Sequence, residues 1–495
     1  MSINPSNMRV VDVARLLNST SFGFVLAQAR LYREFNRVGF RIGSSENPRN
    51  INLLKYIAWM FDRKHTPEET SGTRSYEDRR NAERDRQAEQ SLAGRDIGQL
   101  PEVVNPDRKA ACERNFQLFC ESYFPETYAL AWSPDHLKVI EKIETAVLRG
   151  GLFALAMPRG SGKSTLSESA VIWAMLYGHR EFITLIGATE SAALETLDSI
   201  KTELEVNERL AEDFPEVCFP IAQLEGIANR CAGQLYKGER TRITWTSNEI
   251  VLPTVEGSRA SGIIVRVAGI TGRIRGMKFK RSDGRNVRPS LVVIDDPQTS
   301  ESAGSLEQTR KRVRVLAGDI LGLAGPGQKI SGIMPCTIIR PGDMADIILN
   351  RNTHPDWNGE KTRMVYRFPT NMKLWEEYAE IRAEALRTEG NFQKATEFYL
   401  ANREAMDAGA EVSWEARFNH DEVSALQHAM NLKFQDEAAF QSEYQNDPLP
   451  DDTADDSLLS VDEICAKING LARRRVPLKC DRLTMFVDVV RQEVA

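Results

Sequence analysis

Histidine and cysteine are present but never in a metal-binding pattern. The six histidines form no HExxH and no HxH, so a histidine-based metal site has no support. The seven cysteines (Cys112, Cys120, Cys218, Cys231, Cys336, Cys465, Cys480) are odd in number and never in CxxC spacing. They read as reduced thiols of a cytosolic protein, not as a zinc site or a disulfide frame. No apolar stretch approaches the roughly 18–20 residues of a membrane span. The N-terminus, MSINPSNMRVVDV, lacks the basic and apolar blocks of a signal peptide. Positive charge is not in excess either. The formal net charge is −6, so any nucleic-acid surface must be local.

What remains is a chain of 495 residues, 41% hydrophobic and 27% charged, which suggests two or three soluble globular domains. Its organising stretch is AMPRGSGKST, residues 156–165. An apolar run from Gly151 to Ala156 enters it, and a helix-compatible run from Leu166 to Tyr177 leaves it. Strand, glycine-rich turn and helix is the setting of a phosphate-binding loop. There the backbone N–H groups of Pro158–Thr165 converge on phosphate oxygens, Pro158 itself excepted, and the helix N-terminus adds its dipole. Gly160, Ser161 and Gly162 form the turn. Lys163 reaches the β and γ phosphates, and Ser164 offers a hydroxyl to Mg²⁺. Met157 stands where the motif usually has its first glycine.

Residues 8–64 carry three helical apolar periods. Arg30, Arg33, Arg37 and Arg41 fall along one side of the middle one. That face is either a helix-turn-helix-like contact to DNA phosphates or a solvated surface. Residues 66–100 are nearly free of large apolar side chains and read as a linker. Ser133 and Pro134 then open a helix to Leu148 as N-cap and first residue. Trp132, Asp135 and His136 stand where helicase-like motors place an adenine-contacting segment; a plain helix start reads equally well.

Beyond the loop, apolar runs at 182–187, 243–245, 250–253, 263–267, 291–294 and 328–334 alternate with helical stretches, which predicts a parallel α/β sheet. The run Leu291–Ile294 ends in Asp295–Asp296. A strand closing in a carboxylate beside a phosphate loop places Asp295 on Mg²⁺ and Asp296 at the attacking water. Aspartate at the second position is one methylene shorter than the usual glutamate. The basic stretch GITGRIRGMKFKR, residues 269–281, offers Arg273, Arg275 and Lys278 to DNA or a phosphate. Ser331, Pro335 and Thr337 in SGIMPCT are candidates for sensing the γ-phosphate and coupling it to movement.

Together MPRGSGKST, IRGMKFK, RPSLVVIDDPQ and SGIMPCT resemble the large subunit of tailed-phage DNA-packaging terminases. FYLANREAMDAGAEVSW and FQSEYQNDP resemble the segment joining motor to nuclease in that family. The resemblance implies an additional-strand, RecA-like (ASCE) P-loop NTPase with parallel sheet and flanking helices. It also implies a catalytic Arg159 beside Lys163, ATP and Mg²⁺ as cofactors, and action in the host cell cytoplasm away from membranes. Implied partners are double-stranded DNA, a portal protein, a terminase small subunit and further copies of the chain in a ring on the procapsid. A helicase-type translocase and an inactive binding remnant are the competing readings.

The expected division is a helical unit over 1–65, a charged linker over 66–105, a motor over 106–360, and a helical lid over 361–446. A linker over 447–480 follows, then the start of an RNase H-like nuclease over 481–495. DRLTMFVDV resembles that nuclease's first strand, with Asp488 as its first metal ligand. Two-metal cleavage needs several convergent carboxylates, and the later ones are missing before Ala495. The chain is therefore expected not to cut DNA alone.

Overall fold

The computed structural model describes residues 4–19, 31–33, 35–36, 41–65, 94–272, 274–281 and 283–450. Arg273, Asp488, Arg30 and Arg37 lie outside the described residues, as do both linkers in large part and the expected nuclease strand. By contacts the chain divides into two compact units, Met1–Gln90 and Ser91–Ala495.

In the first unit, helices Val10–Asn18 and Leu53–His65 match two of the three apolar periods. Val13, Leu31, Ile42, Ile51 and Tyr56 are fully buried between them. A short antiparallel ladder, Met8–Arg9 with Asn50–Ile51, closes this core and has no counterpart in the sequence expectation. Arg33 and Arg41 are exposed.

The second unit is a mixed α/β structure around an eight-stranded, mostly parallel sheet. After two short helices, Pro106–Cys112 and Phe116–Tyr123, come α1 (Pro134–Leu148), β1 (Leu152–Ala156), α2 (Lys163–Leu176), β2 (Phe182–Gly187) and α3 (Glu190–Val206). Next come β3 (Thr244–Trp245), β4 (Glu249–Val251), β5 (Ile264–Gly269), β6 (Leu291–Asp295) and α4 (Leu306–Val315). β7 (Ser331–Cys336) and β8 (Glu360–Lys361) complete the sheet. In space the order is β8-β1-β7-β6-β2-β5-β4-β3. β7 thus lies between the strand entering the phosphate loop and the strand ending in Asp295.

These strands read as continuous apolar runs because both faces are covered. Phe153, Leu155, Ile183, Leu185, Leu291, Val293 and Ile333 face one layer of helices, where Phe116, Ile143, Leu166 and Trp173 are buried. Their alternates Ala154, Phe182, Ile186, Val292, Ile294 and Met334 face the other layer, with Leu316, Ile320, Met344 and Ile348. Period-two alternation across a sheet sandwiched by helices accounts for both sets.

One expectation needs correction. The runs at 243–253 do not join the parallel set. β3 and β4 pair antiparallel, and β4 pairs antiparallel with β5. Only three residues separate β3 from β4, too few for the crossover of a dozen or more that a parallel neighbour requires. The strand expected from Gln328 begins at Ser331.

After the sheet, α5 (Met372–Thr388), α6 (Gln393–Ala401) and α7 (Ala425–Gln435) pack around Trp375, Tyr378, Tyr399 and Met430. This helical region ends in a π-helical turn, Phe440–Tyr444, that returns to the phosphate loop.

Candidate functional site

The sheet brings the motifs together by register. β1, β6 and β7 run parallel, so the residues that follow them emerge at one edge. A cleft of about 600 Å³ opens there. Arg159, Lys163, Thr165, Asp296, Thr337 and Glu443 are among its walls.

The loop itself is built from tight turns. Gly160 and Gly162 have φ of +75° and +78°, where a side chain is disfavoured. Ser161 N–H donates to the Pro158 carbonyl at 3.1 Å, closing the turn. Met157 does not belong to that turn. It is buried in the core, and its N–H donates to the Cys336 carbonyl at 3.3 Å. A methionine suffices where a glycine was expected because this position is the end of the strand.

Lys163 is the hub. Its ammonium donates to Thr337 Oγ1 and lies 3.3 Å from Asp296 Oδ1, with only 10% of the side chain exposed. Ser164 Oγ donates to Asp295 Oδ1 at 3.1 Å. Burial, and then the neighbouring Asp296 carboxylate, push the Asp295 carboxyl up to about 6; Ser164 and Lys163 oppose that rise. Asp296 is a non-glycine residue at φ +36°, held by its N–H on the Pro335 carbonyl at 3.0 Å. Backbone strain of this kind costs on the order of 1–3 kcal/mol and persists where surrounding contacts enforce it.

The other expected residues are distributed as follows. Pro335 supports Asp296 through its carbonyl. Ser331 does not reach the cleft. It opens β7, so Thr337 lies about 20 Å further along the chain direction. Its hydroxyl instead donates to the carbonyls of Ala146 at 2.7 Å and Gly151 at 3.0 Å. Trp132 does not line the cleft either; its indole N–H donates to Glu121 at 2.7 Å. Arg275 and Lys278 are exposed and outside it, and Arg275 Nε donates to Asp319 Oδ1 at 2.6 Å.

His136 supports the loop from behind. Ser133 accepts from His136 N–H, and the Ser133 N–H meets His136 Nδ1 at 3.3 Å, a reciprocal helix cap. With Nδ1 accepting there, the network assigns the ring proton to Nε2, which donates to the Ser161 carbonyl at 2.9 Å. Burial holds this imidazole below its ordinary range, so it stays neutral. His136→Ala leaves that carbonyl unpaired and is expected to lower stability by about 1–3 kcal/mol, read from urea denaturation.

Three further contributors come from the far end of the chain. Glu443 takes the Arg159 N–H on its carbonyl at 2.7 Å, and its carboxylate lies 3.7 Å from the Arg159 guanidinium. Arg417 donates to the Arg159 carbonyl. Asn446, fully buried at φ +50°, accepts from Ile338 N–H and donates to the Thr362 carbonyl, each at 3.0 Å. Asn446→Ala is expected to lower the stability of this edge by about 2–4 kcal/mol in the same assay, since it removes two buried partners at a left-handed position. Sequence reading pointed to FQSEYQNDP only as a connecting segment. Gln298 and Thr299, just past Asp296, also line the cleft.

These residues fit a nucleotide with Mg²⁺. The Ser161 hydroxyl is buried and has no hydrogen-bond partner, an unmet donor at the loop's centre. Asp295 and Ser164 form an oxygen pair of the hard-donor kind that Mg²⁺ prefers. The Asp295 carboxyl, raised by burial, gains most from a cation.

Fold and cleft together define an α/β protein with a mostly parallel sheet flanked by helices, compatible with a P-loop ATPase fold. No family model matches the chain, and no curated protein matches it. Among solved structures it is similar to a mutant of the large terminase ATPase domain of Thermus phage P74-26. That likeness has 12% identity and a TM-score of 0.29, over 66% of this chain and 98% of the other, and is too distant to bear on function. Among the described residues, no helix is long and apolar enough to cross a membrane.

Proposed function

We propose that this chain is a Mg²⁺-dependent ATPase and the motor subunit of a phage terminase, driving double-stranded DNA into a capsid. One observation carries the ATPase reading: Lys163, Ser164, Asp296 and Thr337 line one cleft at the same sheet edge, and Asp295 is bonded to Ser164 at its wall. The packaging role is supported by the resemblance of the four motifs.

On this reading the loop amides and Lys163 hold the phosphates, with Arg159 at the cleft wall. Asp295 and Ser164 would hold Mg²⁺, which when bound neutralises charge on the phosphate oxygens. Lys163 now serves Thr337 and Asp296. Phosphate oxygens compete for that ammonium, and its transfer frees the Asp296 carboxylate and the Thr337 hydroxyl. Asp296 then accepts a hydrogen bond from the attacking water and orients it. Thr337 leads through Ile338 to Asn446, which gives the helical region a path to sense the change. The partners on this reading are double-stranded DNA, a portal ring, a terminase small subunit and neighbouring copies in a ring, in the host cytoplasm.

Phosphate release from the full chain, with and without double-stranded DNA, tests the ATPase reading. Mg²⁺-dependent turnover is expected, faster with DNA; no turnover under either condition would sink it. Binding to a portal ring separates a packaging motor from a helicase-type translocase.

A further inference from the structure

α4 carries four basic residues, Arg310, Lys311, Arg312 and Arg314, against one acidic residue, Glu307. Its two sides differ. Arg310, Lys311 and Arg314 are exposed, and none makes an ion pair among the described residues. Several exposed basic residues on other helices of this unit are neutralised locally, Arg387 by Glu384, Lys394 by Glu389 and Arg403 by Asp407, whereas Lys373 on α5 has no ion pair among the described residues. α4 differs in gathering such unpaired heads at 310, 311 and 314 on one short stretch. The acidic groups near α4 are few. Glu307 sits one turn before Arg310, and Asp319, in the π-helical turn Leu316–Ile320 that continues the helix, is taken by Arg275. Arg275 is thereby fixed beside the C-terminal end of α4 with 81% of its side chain exposed. Arg312 turns inward and bonds Gln308 at 3.2 Å rather than a carboxylate, so its charge adds to the helix.

The buried side of α4 leads to the cleft. Thr309 is buried and accepts from Gln298 Nε2 at 2.8 Å; Gln298 lines the cleft two positions after Asp296. The same amide accepts from Met344 N–H. One glutamine therefore links the cleft wall to the residue preceding Arg310. A π-helical turn at the end of such a helix is itself a frequent mark of function.

We infer that the exposed face of α4, with Arg275 beside it, binds the phosphate backbone of double-stranded DNA. The inference rests on the motor reading above for its partner and names the surface that reading leaves open. Unpaired arginine and lysine heads on one helix suit backbone phosphates, which position a duplex without reading its bases.

The test compares the full-length parent with the triple variant Arg310→Ala, Lys311→Ala, Arg314→Ala, using a random-sequence duplex over a salt series. Each lost phosphate contact flattens the dependence of log affinity on log salt by about 0.9. The variant is expected to lose roughly 2–3 from that slope and to bind about 10–100-fold more weakly at moderate salt. DNA stimulation of phosphate release should be lost while basal turnover stays parental. A control triple, Arg387→Ala, Lys394→Ala, Arg403→Ala, should keep the parental slope. A variant that binds DNA with the parental slope overturns the assignment, and so does a parent that hydrolyses ATP yet binds no duplex. If the parent shows no turnover but its DNA binding still depends on the α4 residues, the motor reading falls and the surface stands.

Discussion

Lys163→Ala is expected to abolish the proposed ATP turnover, a loss of about 10²–10³-fold or more for removal of a preorganised charge at a phosphoryl group. The same ammonium touches Thr337 and Asp296 in this structure and is nine-tenths buried in its side chain. Its loss leaves Asp295 and Asp296 adjacent without the cation that lowers Asp295, so the Asp295 carboxyl climbs further above 6. The fold survives, because the strands flanking the loop are held by the two apolar layers and not by this contact. Phosphate release and far-ultraviolet circular dichroism, measured on one preparation, check both halves. Parental turnover in Lys163→Ala would falsify the phosphate-loop assignment. Lys163→Arg is the sharper control: it keeps charge, but a planar, wider head cannot fill the ammonium's place between Thr337 and Asp296.

Much of this cleft was legible in the sequence, for identifiable reasons. A parallel strand covered on both faces must be apolar throughout, so Phe182–Gly187 and Leu291–Ile294 stand out as runs. Ser133 and Pro134 announce α1 because the cap needs a side-chain acceptor and tolerates proline at its first residue. Loop chemistry likewise demands glycine, lysine and hydroxyl at fixed local spacing. What was not legible lacks local spacing. Glu443 reaches Arg159 across 284 positions (443 − 159), and nothing periodic in FQSEYQNDP marks one carboxylate among its polar residues. Ser331 and Thr337 are both small hydroxyl residues bounding one strand; only strand direction separates a far-end anchor from a cleft residue. The antiparallel turn of β3 and β4 was readable in the three-residue gap between them, which an alternating α/β expectation overrode. α4 was hidden for another reason. Its basic residues look like any solvated helix until the absence of ion partners among the described residues and the Gln298–Thr309 contact are seen.

Asp295→Asn separates binding from stability in opposite directions. The native carboxyl titrates near 6, above its ordinary 3.8, so the folded chain favours the protonated form. Between those values the native state holds more proton than the unfolded chain, and stability falls as pH rises through that window. Above pH 6 the whole penalty is present, about 3 kcal/mol for a rise from 3.8 to about 6. Asparagine is the neutral isostere: it still accepts from Ser164 and carries no charge beside Asp296. Without nucleotide or Mg²⁺, the variant is therefore expected to be more stable than the parent at pH 7–8, by up to about 3 kcal/mol, and equal to it near pH 4. Denaturant titrations at the two pH values read this difference. Function moves the other way. The parent is expected to gain stability from ATP with Mg²⁺, since ligands that bind only the folded state add to it, and that gain is expected to shrink below pH 6 as Asp295 takes up its proton. The variant gains little from the same addition and turns over ATP at background. A variant that is destabilised at pH 7–8, yet still stabilised by Mg²⁺ with ATP as strongly as the parent, would remove Asp295 from the metal site. On the proposed reading the buried carboxylate costs the empty fold stability that a cation beside it would return, and the two titrations measure both sides of that exchange.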